Sequence, residues 1–235
     1  MARAVSSATA RLRSQPKPDT MTALDRITGL AHAQALSVAG GVQKADAPLP
    51  DGIETLILLS PDGAAFWDHF QQSPEYGDGL PDPMDRWSIR VIDRLAQDLG
   101  AKPLYPFGAT PPHPFYRWAL ASGRVWASPV QWLIHDTAGL WLSFRGALGF
   151  GAGLDLPEAG NSPCEGCSRP CVTACPVGAL TDKGYDVPAC HAFLDTAEGA
   201  HCLSHGCAVR AACPVSQAYG RAPAQSAFHM RHFHP

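Results

Sequence analysis

Cysteine is missing from this chain until position 164, and all eight cysteines then fall between 164 and 213. A chain-wide disulfide framework is excluded by that distribution, because bridges would have to tie the long first part as well. Long apolar runs are missing too. The longest uniformly aliphatic stretch is residues 56–59, far short of the roughly 20 residues that cross a bilayer. Neither sign of charge dominates: 18 basic and 21 acidic residues give a net charge of -3 without a block. That balance argues against nucleic acid or an anionic lipid surface as a partner. Residues 1–20 carry Arg3, Arg11, Arg13 and Lys17 but no apolar run of the kind a secretory signal needs. They read as a disordered leader, with an organelle transit peptide as the alternative and Met21 as an equally acceptable start. Gly146-Ala-Leu-Gly149 lacks the third glycine and the acidic residue of a dinucleotide fingerprint, and no serine nucleophile elbow is present. Without an export signal the expected compartment is reducing and cytoplasmic, where the thiols stay free.

What is there instead is a local constellation of thiols. Cys164, Cys167, Cys171 and Cys175-Pro176 form C-x2-C-x3-C-x3-C-P, one residue longer in the middle than the bacterial ferredoxin run. Thiolates are soft anionic ligands suited to iron-sulfur clusters, and a tight loop can wrap three of them around one cluster face. In two-cluster ferredoxins the cysteine before proline ligates the other cluster. The second group here is Cys190, Cys202, Cys207 and Cys213-Pro214. Exchanging the two Cys-Pro residues assigns Cys164, Cys167, Cys171 and Cys213 to one [4Fe-4S] cluster, and Cys175, Cys190, Cys202 and Cys207 to another. A pair of closed zinc sites is the alternative metal reading. The second group is irregularly spaced, so His191, His201 or His205 could replace a thiolate, although each also reads as a polar loop histidine. His229, His232 and His234 read as a frayed tail, or as a metal-binding tract.

The earlier part reads as α+β with an antiparallel sheet. Residues 53–60 predict a buried strand ended by a Ser-Pro-Asp-Gly turn, and residues 64–72 a helix. Asp82 as N-cap, Pro83 at the first helical position and Met84, Trp87, Val91, Leu95 and Leu99 at spacings of three and four predict a helix that Gly100 stops. Its Arg86, Arg90, Asp93, Arg94 and Asp98 read as a solvated face. Residues 104–107 predict a strand and 114–122 a helix, and residues 130–134 and 140–148 a hairpin around His135-Asp-Thr-Ala-Gly139. After Cys175 the chain reads as loop with short helical turns. Trp118, Trp126, Trp132 and Trp141, with Phe115, Tyr116 and Phe144, form either core or the wall of a large flat ligand rimmed by Arg117, Arg124 and Arg145.

Taken together, these residues resemble the epoxyqueuosine reductase group. The likeness lies in the four-cysteine group, the lone Cys190 and the three cysteines ending in Cys-Pro. Upstream, Ala121-Ser-Gly123-Arg-Val-Trp126 and Leu133-Ile-His-Asp-Thr-Ala-Gly139-Leu-Trp141 are similar to that group's Gly and Trp pattern. The stretch from Leu56 through Pro81-Asp-Pro-Met-Asp85 is similar to the cobalamin-trafficking decyanase/dealkylase proteins. The resemblance implies a nitroreductase-like α/β domain with an antiparallel sheet over residues 21–155, then a small ferredoxin-like 2[4Fe-4S] domain over residues 156–235. It implies electrons passing from the clusters to a corrinoid (cobalamin), held against Trp126, Trp132, Trp141 and Arg145, with a redox protein or reductase as donor. The alternatives are a plain ferredoxin-type carrier with a docking domain, and a flavin-linked reductase holding FMN. Ala127-Ser-Pro-Val130 stands where that group places Gly-Lys, and its C-terminal helical repeats are not matched, so a role on tRNA is not carried over. No catalytic acid can be placed.

Overall fold

The computed structural model describes residues 21–235, and the leader expected over residues 1–20 lies outside the described residues. The chain begins with helix α1 (Ala23–His32), closed by a capping box in which Thr22 Oγ1 accepts from the Asp25 amide at 3.1 Å and Asp25 accepts from the Thr22 amide at 2.9 Å. Strands β1 (Leu36–Gln43) and β2 (Thr55–Pro61), helices α2 (Ala65–Gln71), α3 (Pro74–Gly77) and α4 (Pro83–Leu99), and strand β3 (Lys102–Leu104) follow. Next come α5 (Phe115–Ala121), β4 (Val125–Ala127), β5 (Leu133–His135) and β6 (Gly146–Phe150). The fold is mixed α and β with antiparallel sheets, the largest having four strands in the order β1-β2-β6-β3.

Strand β2 is buried along its whole length, and the alternation of a pleated strand explains why an unbroken apolar run suits it. Ile57 and Leu59 point into one core with Phe66, Trp87 and Ile92, beneath α1, α2 and α4. Leu56 and Leu58 point the other way, onto Phe115 and Trp118 of α5. The sheet is therefore a middle layer with helices on both faces. A bulge in β1 between Val38 and Gly40 interrupts its pairing with β2. At Gly40, where φ is +146°, an added Cβ would meet Ser122 at 2.8 Å, so α5 approaches the backbone as only glycine allows. The Ala39 carbonyl accepts from His135 Nε2 at 3.0 Å.

Several expectations are corrected. Residues 130–148 do not form a hairpin: β5 pairs with β4 in a two-stranded sheet while β6 joins the main sheet, and the turn between them keeps only a single His135–Gly139 bridge. The third strand of the main sheet covers 102–104 rather than 104–107. Asp82 makes no side-chain cap; it adopts a left-handed φ of 51°, and the entry to α4 is held by Arg86, which donates to both carboxylate oxygens of Asp78 at 2.7 Å and to Pro81 O at 2.9 Å. The polar face of α4 is thus only partly solvated, for Arg90 also donates to buried Glu75 on α3, at 3.0 Å to Oε2, and holds its carboxyl below the usual range.

Beyond β6 a 3-10 turn (Pro170–Val172), a small hairpin of β7 (Leu180–Thr181) and β8 (Gly184–Tyr185), and five helices complete the chain. These are α6 (Val187–Leu194), α7 (Ala200–His205), α8 (Ala208–Ala212), α9 (Pro214–Ala218) and α10 (Pro223–Phe233). The tail expected to fray is helical through Phe233, and His234 is tied to His191 Nδ1 at 2.8 Å and to Asp195 at 2.9 Å. Helix α10 also packs on the first part of the chain, where Phe228 lies 5.5 Å from the Trp67 ring and 5.9 Å from Phe70. The Tyr219 hydroxyl donates to the Pro61 carbonyl at the end of β2. No helix among the described residues is long and apolar enough to cross a membrane.

Candidate metal centre

The eight cysteines line two separate pockets, four in each. Cys164, Cys167, Cys171 and Cys213 surround one, walled by Ile134, Leu140 and four prolines that include Pro214. Cys175, Cys190, Cys202 and Cys207 face the other. The pockets differ in size, at about 30 Å³ and about 370 Å³. Among the described residues no three Cys, His, Asp or Glu side chains close on a single-ion position.

Local structure explains why sequence neighbours part company. Cys207 caps the start of α8 and Cys213 follows its end, so this five-residue helix carries one thiol to each pocket, roughly 9 Å apart along the axis at 1.5 Å per residue. Pro214 at the first position of α9 needs no amide partner, and Cys213 before it is extended. The 3-10 turn holding Cys171 is entered through Arg169 at a left-handed φ of 57°. It packs against α8, and the chain leaving it delivers Cys175 to the second pocket.

The electrostatics of both sets favour a cation. Burial pushes the Cys164 thiol up, and Cys171, Cys167 and Cys213 push it in the same direction. Cys171 is raised by burial and then by Cys213. In the other pocket burial raises Cys202, with Cys190 and Cys175 adding to it, and burial raises Cys207 against the opposing backbone amides of Arg210 and Val209. Amides are aimed at sulfur elsewhere as well: Arg169 N lies 3.3 Å from Cys167 Sγ and Ala179 N lies 3.2 Å from Cys175 Sγ. A partly buried group of four thiols suits a soft cationic centre that draws the thiolate form out of each.

Of the residues expected to hold a cofactor, Trp132 and Trp141 line the larger cavity and Trp126 and Arg145 do not. Trp126 packs at the edge of the smaller core beside Gly160, and Arg145 is committed to Asp85 at 3.2 Å and to the Phe144 carbonyl at 3.1 Å. His191, His201 and His205 sit on α6 and α7 and line neither pocket. Sequence reasoning missed Arg210 and Arg221, and placed His229 in a tail or metal-binding tract; all three line the larger cavity. Arg210 lies 4.3 Å over Trp132 and donates to the Leu140 carbonyl at 2.8 Å, while Arg221 lies 5.0 Å over Trp141. The available signal was the spacing of Ser226, His229, Met230 and Phe233, which puts all four on one face of a helix that was read as a tail. No family model, curated protein or solved structure matches this chain.

Proposed function

We propose that the chain is an iron-sulfur electron-transfer protein of reductase type, with a [4Fe-4S] cluster on each set of four cysteines and an electron acceptor at the larger cavity. The observation that carries this reading is the division of the thiols into two fours, with the Cys-Pro of each sequence group lining the other group's pocket. Amides directed at Cys167 and Cys175 support it, since hydrogen bonds to cluster sulfurs set potential. In this reading residues 156–235 are a ferredoxin-like segment and residues 21–155 a nitroreductase-like domain, working in a reducing, cytoplasmic compartment. When bound, the clusters supply one-electron storage at potentials that protein surroundings tune. The chain's own tasks are to hold the thiolates, to shield them with Ile134, Leu140 and Val209, and to keep the acceptor against Trp132 and Trp141. At the smaller pocket Cys164, Cys167, Cys171 and Cys213 would hold the other cluster, Cys164 and Cys167 from half-buried positions.

A corrinoid does not fit inside the larger cavity. Its 370 Å³ must also seat the second cluster, whereas pockets for drug-sized ligands alone run to about 1,000 Å³. A corrinoid acceptor is therefore proposed only as a ligand docked across the mouth, and a redox protein serves as the donor. The test is one anaerobic purification with iron, sulfide, cobalt and flavin quantified on the same sample. Iron and sulfide near eight per chain are expected. Zinc in their place would refute the cluster reading, and stoichiometric FMN would move the acceptor reading to a flavin. Titrating the loaded protein with cobalamin, with no change in the corrin absorption spectrum, would remove the corrinoid.

A further inference from the structure

The wall of the larger cavity formed by α10 and the segment before it carries polar groups that the cluster reading does not use. Arg221 lines the cavity from the turn between α9 and α10, its guanidinium carbon 5.0 Å over the Trp141 ring and its Nε donating to Ser226 Oγ at 3.0 Å. It has no carboxylate partner among the described residues, and no Asp or Glu lines the cavity. On α10, the buried Nε2 of His229 has no hydrogen-bond partner among the described residues, and the buried Oγ of Ser143, which also lines the cavity, has none either. Buried polar groups are almost always partnered, and a buried cation without a counter-charge is costly. Two unpaired groups beside Arg221 in one cavity therefore mark a place made for something else.

The second cluster's own negative charge is the rival explanation, and the positions of the arginines separate the two. Arg210 faces that charge: Cys207 and Tyr185 are the groups that oppose the effect of its burial. Arg221 has no cysteine among its electrostatic neighbours; it is lowered to about 9, by burial first and then by Arg210 and Arg145, with only Tyr219 opposing. His229 is likewise surrounded by cations, with Arg221, Arg145 and Arg210 next after burial among the causes that hold it neutral. A neutral imidazole keeps one ring N–H to donate. The rest of the wall is apolar, with Trp141, Met230 and Phe233 among its residues.

We infer that this wall is a binding site for a small organic anion, whose carboxylate or phosphate head meets Arg221, His229 and Ser143 and whose apolar body lies on Trp141, Met230 and Phe233. The inference deepens the proposed function by naming the acceptor's chemical class, and it rests on that reading only for the cluster alongside. Guanidinium provides the strongest head contact, being planar and, with its pKa lowered to about 9, still charged at neutral pH. The site's place beside Cys175, Cys190, Cys202 and Cys207 puts the ligand next to the second cluster.

The test is anaerobic calorimetry on the full, iron-loaded chain, titrated with benzoate, its neutral isostere benzamide, and inorganic phosphate. Benzoate should bind saturably and benzamide at least about 10-fold more weakly, since a charge-assisted contact is lost. Arg221→Gln should reduce benzoate to the benzamide level with iron and sulfide content unchanged. His229→Gln and Ser143→Ala, which alter the wall less, should each weaken benzoate several-fold. If phosphate displaces benzoate at lower concentration, the natural head is a phosphate ester; if it displaces benzoate only at higher concentration, the head is a carboxylate. Equal binding of benzoate and benzamide, or no saturable binding of either anion at about 10 mM, overturns the inference. Loss of iron from Arg221→Gln overturns it too, by assigning Arg221 to the cluster. Wild-type protein that binds benzoate through Arg221 but never holds iron would instead overturn the cluster reading and leave the anion site standing.

Discussion

Removing Cys175 and Cys202 together is the sharpest test of how the thiols are shared. The two lie in different sequence groups but face one pocket, and Cys202 has Cys175 and Cys190 among its charged neighbours. In the exchanged arrangement the double variant Cys175→Ala/Cys202→Ala damages one cluster only. Iron should fall from about eight to about four per chain and no lower than in either single variant. In an arrangement by sequence group, Cys175 would belong with Cys164, Cys167 and Cys171, both clusters would be hit, and iron would approach zero. The reciprocal pair, Cys164→Ala/Cys213→Ala, should also retain about four irons, although its members lie 49 positions apart by their numbers, 164 and 213. Cys164→Ala/Cys202→Ala serves as the control that empties both sites. The assay is iron and acid-labile sulfide on anaerobically purified full-length protein, with the low-temperature electron paramagnetic resonance of the reduced sample identifying the surviving cluster. Two irons or fewer in Cys175→Ala/Cys202→Ala, with each single variant retaining about four, would refute the exchange.

Acid should weaken the fold through His135, which is 3% exposed and lowered to about 4, chiefly by burial and then by Arg124, with Asp136 opposing. The unfolded chain takes up this proton near pH 6.5, so the stabilisation is complete above 6.5 and is lost as pH falls towards 4, by about 3 kcal/mol. Urea midpoints between pH 7 and 4 should show that slope, and an unchanged slope in His135→Gln would contradict the assignment. Gly139 has φ +57°, and a Cβ there would come within 2.5 Å of Ser216. Gly139→Ala should therefore cost about 1–3 kcal/mol in urea unfolding and loosen the seat of α9; a neutral result would mean that the loop can retreat. Ser216→Ala removes the hydroxyl that accepts from the Leu140 amide at 2.8 Å and leaves that buried donor unpaired, for an expected loss of about 1–3 kcal/mol by the same measurement. Restored stability in Ser216→Thr would show that the hydroxyl is what matters.

Helix α4 was legible because its apolar residues repeat at helical spacing and a glycine stops it, two local signals that agree. The division of the cysteines between two pockets was legible because the ferredoxin pattern lends the cysteine before each proline to the other group. The hairpin misread over 130–148 shows the limit: short apolar runs on either side of a turn look alike whether they pair with each other or with distant partners, and here β6 is claimed by β2 and β3. Strand β1 was missed because Gly40 and Gly41 dilute its strand character, yet Gly40 is required by its close neighbour Ser122. The place of Arg221 and His229 in one cavity was not legible for a related reason. Their significance comes from lacking partners in a cavity that forms only when α10 folds back, and no local spacing records a missing partner.

Phe228 of α10 lies among Trp67, Phe70 and Tyr76 of the first part of the chain. The consequence concerns inheritance. A segment that ends in its own surface can be cut out and spliced to new hosts, but one whose helix α10 completes its neighbour's core cannot travel alone. Cutting between 155 and 156 would leave the first part with an uncovered patch of tryptophan and phenylalanine, prone to self-association. Recombination would be penalised at that seam, so the halves of this gene are bound to descend together.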